Sequence, residues 1–394
     1  MQYNLLNYGN SANPPGYKNA RLATIAAHVQ PDVLGVNEVF SNPALLDSIL
    51  TALGPGWAHA AFSNMGNETQ TNGLFYKTST FLLRSQAVVS NTLRDIIAYR
   101  LQYRDTITHP HDTVFLTVVI AHLKSSPGSA EEAQRAAETQ TIASYLATRG
   151  AGNYVVMGDL NVYSSSEACY QNLVNSQTLS SRLYDPIARP GAWSGDASFA
   201  DIHTQSPRIV TTLGDGGVAG GLDDRFDQIL VSGAVMQDGA GIKYLPGSYT
   251  TVGQDGQHFN GALTAAPANT AAPATVVQAL YELSDHLPVA ASFILHPEPI
   301  STGIAHTSPL SEDVVTYVVN PVEGWLEIGL GAALNGESIT VTLYSIDGRP
   351  VWRSAGPTGG GKLREFVGGE VAPGMYLLTV ESSRGRIVQR VVVR

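Results

Sequence analysis

The 394-residue sequence is poor in cysteine and in charged residues, and both shortages limit what the protein can be. Cys169 is the only cysteine, which excludes an internal disulfide bond and any cluster of cysteines around a metal ion. Charged residues make up 14% of the chain and hydrophobic residues 43%, a balance that allows a large core and excludes global disorder. A chain of this length fits two domains better than one.

Positive charge is also scarce. The chain has 23 lysines and arginines against 33 acidic residues, for a formal net charge of −10. Such a protein has no long-range attraction to polyanions, so nucleic-acid binding cannot be inferred from charge. A metal-dependent phosphodiesterase can still be acidic, because its carboxylates hold the cation that meets the phosphate.

Long apolar stretches are absent as well. No run of about 18 apolar residues occurs, so we expect no membrane span. The first eight residues already have the pattern of a strand and do not resemble a secretory leader, which leads us to expect that a leader is missing from this chain. We also expect a monomer.

What the sequence does contain is an alternation of strands and helices. Helical spacing predicts helices over residues 18–28, 43–53 and 131–149. Apolar runs predict strands over residues 32–39, 74–77, 94–103, 114–122, 154–161, 225–231 and 287–295. This rhythm is typical of a layered α/β domain.

The pattern changes near residue 296. Residues 297–312 form a linker rich in proline, serine and threonine, and short alternating strands follow over residues 326–329, 339–345, 375–380 and 387–393. We therefore predict a catalytic domain over residues 1–296 and a small immunoglobulin-like β-sandwich over residues 313–394. Residues 264–275 are low in complexity and predict a surface loop.

The most informative segment is the end of one predicted strand, Tyr154-Val155-Val156-Met157-Gly158-Asp159-Leu160-Asn161. Asp159 and Asn161 are two positions apart, so they point to the same side at the carboxyl end of the strand, where open α/β sheets place their chemistry. A carboxylate can take a proton from water, and an amide can donate to a developing oxyanion. An Asx turn that merely closes the strand is the alternative.

Other predicted strand ends carry polar groups too. Glu38 closes a buried strand, His122 ends another, Asp227 opens a third, and the pair Asp285-His286 precedes a fourth. A single group of this kind is more often a cap than a catalyst, but several on the strands of one domain indicate a site. Oxygen ligands without cysteine indicate Mg²⁺, Mn²⁺ or Ca²⁺ rather than structural zinc.

Because of these strand-end residues, residues 1 to about 295 resemble the endonuclease/exonuclease/phosphatase superfamily, to which deoxyribonuclease I belongs. The resemblance implies a four-layer α/β sandwich, in which helices flank two mixed β-sheets. The matching segments follow the order of the family and are residues 3–8, 32–39, 73–76, 94–96, 121–125, 158–161, 226–230 and 284–288.

The resemblance assigns a metal site and a water site. Glu38 and Asp285 would ligate a divalent cation, Mg²⁺ in the first place and otherwise Mn²⁺ or Ca²⁺, with Asn4 beside the metal and the scissile phosphate. Asp159 would orient or deprotonate the attacking water, and Asn161 would donate to the phosphoryl oxygens.

The resemblance also assigns residues that contact the phosphate. His286 would meet it, held and charged by Asp227, because a carboxylate partner favours the imidazolium. His122 and Arg94 would contact the phosphate or assist the leaving oxygen. Abasic-site endonucleases usually have an acid at the position of Leu6, which argues against a repair role.

The tail carries a second resemblance. Residues 313–394, with segments such as residues 339–349, 371–380 and 388–394, are similar to the C-terminal sorting domain of type IX secretion substrates. That resemblance implies recognition by an outer-membrane export machine in a Gram-negative bacterium, and a secreted or cell-surface location. An ordinary immunoglobulin-like accessory module is the alternative.

Together these patterns predict a secreted, divalent-metal-dependent phosphodiester hydrolase, in the first place a non-specific nuclease acting on extracellular nucleic acid. A sphingomyelinase-like lipid phosphodiesterase and a phosphatase are alternatives on the same fold. An alternative of another class is a catalytically idle adhesin that uses the same scaffold.

Overall fold

The computed structural model describes residues 1–295 except 67, 105–113, 177, 179–180 and 238–240, and residues 315–393 except 323, 347, 359–360, 369–370 and 384. The linker predicted over residues 297–312 lies outside the described residues. The helices are α1 Pro15–Val29, α2 Ala44–Leu53, α3 Ser129–Arg149, α4 Ala168–Val174, α5 Gly233–Gln237 and α6 Ala274–Leu283.

The strands up to residue 295 are short to medium in length. They are β1 Gln2–Tyr8, β2 Val33–Phe40, β3 Trp57–His59, β4 Gln70–Lys77, β5 Phe81–Ser90, β6 Ile96–Tyr103, β7 Phe115–His122, β8 Tyr154–Asp159, β9 Leu183–Tyr184, β10 Asp227–Ser232, β11 Ile242–Tyr244, β12 Thr250–Thr251, β13 Val289–Ala290 and β14 Phe293–Leu295.

Within the described residues these strands form two six-stranded mixed sheets. The first has the order β12-β13-β1-β2-β4-β3, with β1 and β2 parallel, and the second has the order β5-β6-β7-β8-β10-β9, with β7 and β8 parallel. An apolar core that includes Ile120, Met157 and Ile229 lies between the sheets. The other face of the first sheet packs on α1, α2 and α6, and that of the second on α3 and α4. The predicted four-layer sandwich is therefore confirmed.

Helix α3 shows how the sequence specifies one of the outer layers. Glu131 and Glu132 lie in its first turn and Arg149 in its last, which matches the helix dipole at both ends. Ile142 and Leu146, one turn apart, are fully buried and join the core beneath the second sheet. The pattern of charge and burial fixes both the ends of the helix and the face it turns inward.

Strand register brings the polar residues of the second sheet side by side. His122 on β7 and Asp227 on β10 both pair with Asp159 on β8, so three strands present a carboxylate or an imidazole in one row. Gly158 permits the close approach of β7 and β8, since a Cβ at this position would lie 1.7 Å from the carbonyl oxygen of Ala121.

One predicted strand is interrupted. Residues 287–295 form β13, in the first sheet, and β14, which pairs with β11 in a separate two-stranded sheet. The break occurs at Ser292, whose amide donates to Ser248 Oγ at 3.0 Å and whose carbonyl accepts from the Leu245 amide at 2.9 Å. These bonds replace the strand ladder and let the chain change sheets.

The remaining strands form a separate all-β unit, as predicted. Three of them make one sheet in the order β15-β16-β19 and four make another in the order β18-β17-β20-β21, around a shared apolar core. Their bounds are β15 Val315–Val322, β16 Trp325–Leu330, β17 Ser338–Ser345, β18 Pro350–Pro357, β19 Gly361–Phe366, β20 Gly374–Ser382 and β21 Gly385–Val393.

The β unit is in contact with the α/β sandwich. The Arg182 guanidinium donates to the Pro357 carbonyl oxygen at 3.0 Å, and Gly233 approaches Ala355 so closely that a Cβ would lie 2.5 Å from its carbonyl oxygen. Among the described helices, none combines the length and the apolar character needed to cross a bilayer.

Candidate active site

The Asp159 carboxylate is the centre of the candidate site. It is 2% exposed, and its Oδ2 accepts from Asn4 Nδ2 at 3.1 Å and lies 3.4 Å from His122 Nε2 and 3.7 Å from His286 Nε2. Burial raises the pKa of Asp159 to about 7, with the charges of Asp227 and Glu38 acting in the same direction, and the charge of His286 and the hydrogen bond from Asn4 opposing it. A carboxyl group with a pKa near neutrality is suited to accept a proton from water.

Asn37 joins the two sheets directly behind Asp159. Its Oδ1 accepts from the Asp159 amide at 3.0 Å and its Nδ2 donates to the Ala121 carbonyl oxygen at 3.3 Å. Asn37 also pairs with Asn4 in the β1–β2 ladder. Asn37 was not among the site residues predicted from the sequence, although an asparagine inside a buried apolar strand indicates that it has a polar partner.

Glu38 is held in a left-handed conformation at an irregularity of the first sheet. Its φ is 58°, and the β2–β4 register shifts between Val36 and Val39. The carboxylate accepts from Asn4 Nδ2 at 3.0 Å and from the Asn7 amide at 2.9 Å, and it lies 3.3 Å from Gln70 Nε2. A non-glycine residue in this conformation is costly and occurs where the surroundings hold it, as at functional sites.

His286 lies between two carboxylates. Its Nδ1 is 2.7 Å from Asp227 Oδ2 and its Nε2 faces Asp159. Burial alone would lower the pKa of His286, but the charges of Asp227 and Asp159 and the hydrogen bond to Asp227 raise it well above its usual value. The ring is therefore an imidazolium at neutral pH, as the sequence analysis expected from the Asp227 partner.

Gln205 is a second residue that the sequence did not reveal. Its terminal amide lies 2.7 Å from His286 Nε2, and its backbone bridges to both Asp224 and His286. A charged imidazole donates from both nitrogens, so the amide serves it best by presenting its oxygen. Residue 205 lies in a loop with no motif of its own, which is why sequence alone could not find it.

His122 has the opposite charge state. Burial lowers its pKa well below the usual value, and the positive charges of Arg94 and His286 act in the same direction. The ring is therefore neutral and able to act as a ligand or proton acceptor. Its Nδ1 is buried and has no hydrogen-bond partner among the described residues. The Arg94 guanidinium lies 3.5 Å from the His122 carbonyl oxygen and 3.3 Å from that of Leu123.

The other two predicted residues are at the rim of this cluster. The Asn161 amide donates to Asp159 Oδ1 at 3.1 Å, while its side-chain Nδ2 donates to the Leu123 carbonyl oxygen at 3.3 Å and keeps a second hydrogen for a substrate. Asp285 accepts from the Val218 amide at 2.7 Å through Oδ2, and its Oδ1 is buried without a partner in the described part of the chain.

The residues present fit a divalent cation. Ligand atoms of Glu38, His122 and Asp159 lie within 4.8 Å of one another, and the unpartnered Asp285 Oδ1 is a further buried oxygen donor. Oxygen-rich sets of this kind suit Mg²⁺, Mn²⁺ or Ca²⁺. The sequence predicts Glu38 and Asp285 as the metal ligands. The group of ligand atoms that lie close together contains Glu38 with His122 and Asp159 instead, so the ligand assignment stays a prediction.

Charged residues behind the site hold the loops that carry it. On α3, Arg135 binds Glu167 at 2.7 Å and donates to the carbonyl oxygens of Lys124 and Ser126, which follow β7, while Glu167 accepts from the Tyr163 amide, which follows β8. This buried pair therefore fixes the loops after His122 and Asn161 with respect to each other.

A cavity lies away from these groups. It has a volume of about 470 Å³ and is lined by residues that include Met1, Val33, Phe81 and Val155, at the end of the sandwich where β1, β2 and β8 begin. The candidate catalytic residues lie where the same strands end. The chemistry of the polar cluster, and not cavity size, therefore locates the active site.

Comparison with known proteins is consistent with this picture. Residues 1–286 match the Endonuclease/Exonuclease/phosphatase family. No curated protein matches the sequence.

Solved structures that are similar have low sequence identity. A mannosyl-6-phosphatase from Bacteroides thetaiotaomicron is 15% identical, with 75% of this chain and 98% of that chain covered and a TM-score of 0.44. A family member from Beutenbergia cavernae is 14% identical, with 99% and 98% covered and a TM-score of 0.43. Beta toxin from Staphylococcus aureus is 13% identical, with 74% and 98% covered and a TM-score of 0.44. Values this low support no argument about substrate.

Proposed function

From the premise that this chain belongs to the endonuclease/exonuclease/phosphatase family, and is therefore a phosphoester hydrolase, we propose that it hydrolyses phosphodiesters with the help of a divalent cation. The observation that carries the proposal is the set of contacts around Asp159. One carboxylate with a pKa of about 7 touches an amide, a neutral imidazole and a charged imidazole, and it lies beside the Glu38 carboxylate.

Each of these groups can take a separate role when water attacks phosphorus. A water oxygen forms a bond to phosphorus, its proton passes to Asp159, and the opposite P–O bond breaks. His286 donates to the phosphoryl oxygens or gives a proton to the departing alkoxide, while Asn161 donates to the developing negative charge. A divalent cation, if held by Glu38 with Asp285, His122 or Asp159, would neutralise phosphate charge.

Nucleic acid is the first candidate substrate, because extracellular nucleic acid is an abundant phosphodiester for a secreted enzyme. A lipid phosphodiester is the second candidate, and one observation favours it: four large aliphatic side chains are exposed between residues 209 and 218, and the amide of one of these residues, Val218, donates to Asp285. A phosphomonoester remains an alternative on the same fold.

A substrate panel tests the proposal. The purified chain would be incubated with plasmid, RNA, phosphatidylcholine, sphingomyelin, an inositol phosphate and bis(p-nitrophenyl) phosphate, each with Mg²⁺, Mn²⁺ or Ca²⁺ and with a chelator. We expect hydrolysis of at least one phosphodiester, loss of that activity with chelator, and recovery when metal is restored. Hydrolysis of the phosphomonoester alone, or activity that survives metal removal, would contradict the proposal.

We further propose that residues 313–394 direct export through a type IX system, which would place the protein outside a Gram-negative cell. The support is the sequence pattern of the tail, together with its all-β architecture. An accessory module of the immunoglobulin type would have the same architecture, so the test must follow location and not fold.

A further inference from the structure

A loop beside the candidate site exposes large aliphatic side chains. We name residues 209–218 the apolar loop. Ile209 is 51% exposed, Val210 43%, Leu213 38% and Val218 53%, and every residue from 209 to 214 is exposed. Isolated apolar side chains on a surface are ordinary, but four within ten residues, in a loop whose Val218 amide binds Asp285, call for an explanation.

The apolar loop is anchored at its base. At its base, buried Arg208 binds Asp215 at 2.7 Å, and the Arg208 carbonyl oxygen accepts from the amides of Gly220 and Gly221. Asn13 Nδ2 donates to the Asp215 carbonyl oxygen at 2.8 Å from the other side. The exposure is therefore built into the fold.

Only the last two residues of the loop, Gly217 and Val218, border the site. The Val218 amide donates to Asp285 Oδ2 at 2.7 Å, and its carbonyl oxygen accepts from Ser206 Oγ at 2.7 Å. Gly217 packs against Leu6 at the end of β1, where a Cβ would lie 2.9 Å from Leu6 Cδ2. The end of the apolar loop is therefore next to Asp285 and the end of β1.

The chemistry of the loop selects the kind of partner. Residues 209–218 contain no lysine or arginine, and the nearby Arg208 guanidinium is buried and paired with Asp215, so the loop offers no cation to a nucleic-acid backbone. The side chains are aliphatic and project from an exposed turn, which suits insertion into a lipid surface better than capture of a small ligand in a concave pocket. The net charge of −10 disfavours an anionic surface.

We propose that the apolar loop docks the enzyme on a surface of neutral phospholipid and brings phosphodiester headgroups to Asp285 and His286. The proposal rests on the proposed phosphodiesterase function and deepens it by naming the substrate class. Burial of Ile209, Val210 and Leu213 in the lipid supplies the binding energy. Val218 is left out of this set because its amide holds Asp285.

The test compares the full-length protein with the triple variant I209S/V210S/L213S. Vesicle binding is measured by co-sedimentation with phosphatidylcholine vesicles and, separately, with phosphatidylglycerol vesicles. Hydrolysis is measured on phosphatidylcholine in vesicles and on bis(p-nitrophenyl) phosphate in solution. The matched control is L245S/I294S, which removes two side chains of similar exposure, 43% and 42%, outside the loop.

We expect the triple variant to bind phosphatidylcholine vesicles at least about tenfold more weakly and to lose vesicle hydrolysis in proportion, with soluble turnover unchanged. The control should behave as wild type, and phosphatidylglycerol should bind more weakly than phosphatidylcholine. The docking proposal fails if wild type does not bind vesicles, if the variant binds equally, if soluble turnover falls as much as vesicle turnover, or if plasmid binding depends on the loop.

The outcomes also separate this inference from the proposed function. If bis(p-nitrophenyl) phosphate is hydrolysed while vesicle binding is absent or independent of the loop, docking is wrong and the phosphodiesterase proposal stands. If vesicle binding depends on the loop and no phosphodiester is hydrolysed with any metal, docking stands and the phosphodiesterase proposal is wrong.

Discussion

At the scale of single residues, the site separates two imidazoles into different charge states. His286 is charged because Asp227 and Asp159 flank it, whereas His122 is neutral because it is buried near two positive groups. Both rings face the same oxygen of Asp159: Nε2 of His286 lies 3.7 Å from Oδ2 and Nε2 of His122 lies 3.4 Å from it. One site thus contains both a cation for phosphate and a neutral nitrogen for a metal or a proton.

Replacing Asp159 by asparagine should remove the proton acceptor and keep its shape. We expect turnover to fall at least about a hundredfold, because general-base catalysis contributes that much or more. The measurement is turnover of the best phosphodiester from the panel, with circular dichroism to confirm folding. Asp47→Asn, at an exposed carboxylate on α2, is the matched control. Near-wild-type turnover of the Asp159 variant would show that another group handles the water.

Replacing His286 by alanine should remove the positive charge that faces Asp159. We expect a loss of turnover similar to that of the Asp159 variant, since the developing phosphoryl charge loses its closest imidazolium. A variant Asp227→Asn should lie between wild type and His286→Ala, because the ring remains but its charge is no longer favoured. If Asp227→Asn were worse than His286→Ala, Asp227 would have a role beyond holding the ring.

Lys18 is a buried residue that supports the site without touching it. Its Nζ donates to the carbonyl oxygens of Leu5 and Leu6 on β1 and of Leu283 at the end of α6. We expect Lys18→Met to reduce the free energy of unfolding by roughly 2–4 kcal/mol, because three buried carbonyls lose their donor. Urea denaturation measures it. Arg21→Met, on the same helix as Lys18, breaks a partly exposed ion pair with Glu282 on α6 and should cost less than about 1 kcal/mol.

At the scale of elements, the strand ends that the sequence predicts are the ones that meet in the site. Asp159 and His122 could be found because each ends a long apolar run, and the register of β7 and β8 pairs them. Gln205 and Lys18 could not be found from the sequence. Their partners, the His286 ring and the Leu283 carbonyl oxygen, belong to segments that are distant in sequence. The split of residues 287–295 into two strands could not be predicted from the sequence either. It depends on hydrogen bonds between Ser292 and residues 245 and 248, which are distant in sequence.

The low-complexity loop before α6 is held by a buried histidine. His258 Nδ1 lies 2.9 Å from Asp255 Oδ1, and its Nε2 faces the carbonyl oxygens of Ala265 and Pro267. Burial acts to lower the pKa of His258, but the hydrogen bonds to Asp255 and to the carbonyl oxygens of Ala265 and Pro267, together with the charge of Asp255, raise the pKa above the usual value. The ring thus links the two sides of the loop.

The His258 contribution to stability should depend on pH. Because its pKa is raised in the folded state, its contribution is complete below the unfolded pKa of about 6.5 and is lost as the pH rises through the folded value. The difference in unfolding free energy between wild type and His258→Gln should therefore be larger at about pH 6 than at about pH 9. Urea denaturation at both pH values checks this, and an equal difference at both would show that the ring is neutral throughout.

At the scale of the whole molecule, the β unit and the α/β sandwich touch through a limited set of contacts away from the site. They include the bond from Arg182 to Pro357 and the approach of Gly233 to Ala355. The candidate catalytic residues all belong to the sandwich. Catalysis and the proposed export signal are therefore separable.

Deleting residues 313–394 should leave turnover of a soluble phosphodiester unchanged and retain the protein in the periplasm of a host with a type IX system. Activity assays on culture supernatant and periplasmic fraction measure both effects. The matched control exchanges the tail for an unrelated β-sandwich domain. An unchanged yield in the supernatant after deletion would contradict the export proposal.

The pairing of the first strand with one of the last has a consequence for the timing of activity. Gln2 on β1 pairs with Val289 on β13, and Ser284 Oγ donates to the Asn4 carbonyl oxygen at 2.7 Å. A chain leaving the ribosome presents Asn4 early but has no Asp285 or His286 until almost the whole sandwich has been synthesised. The nascent chain therefore lacks two residues of the candidate site until the sandwich is almost complete.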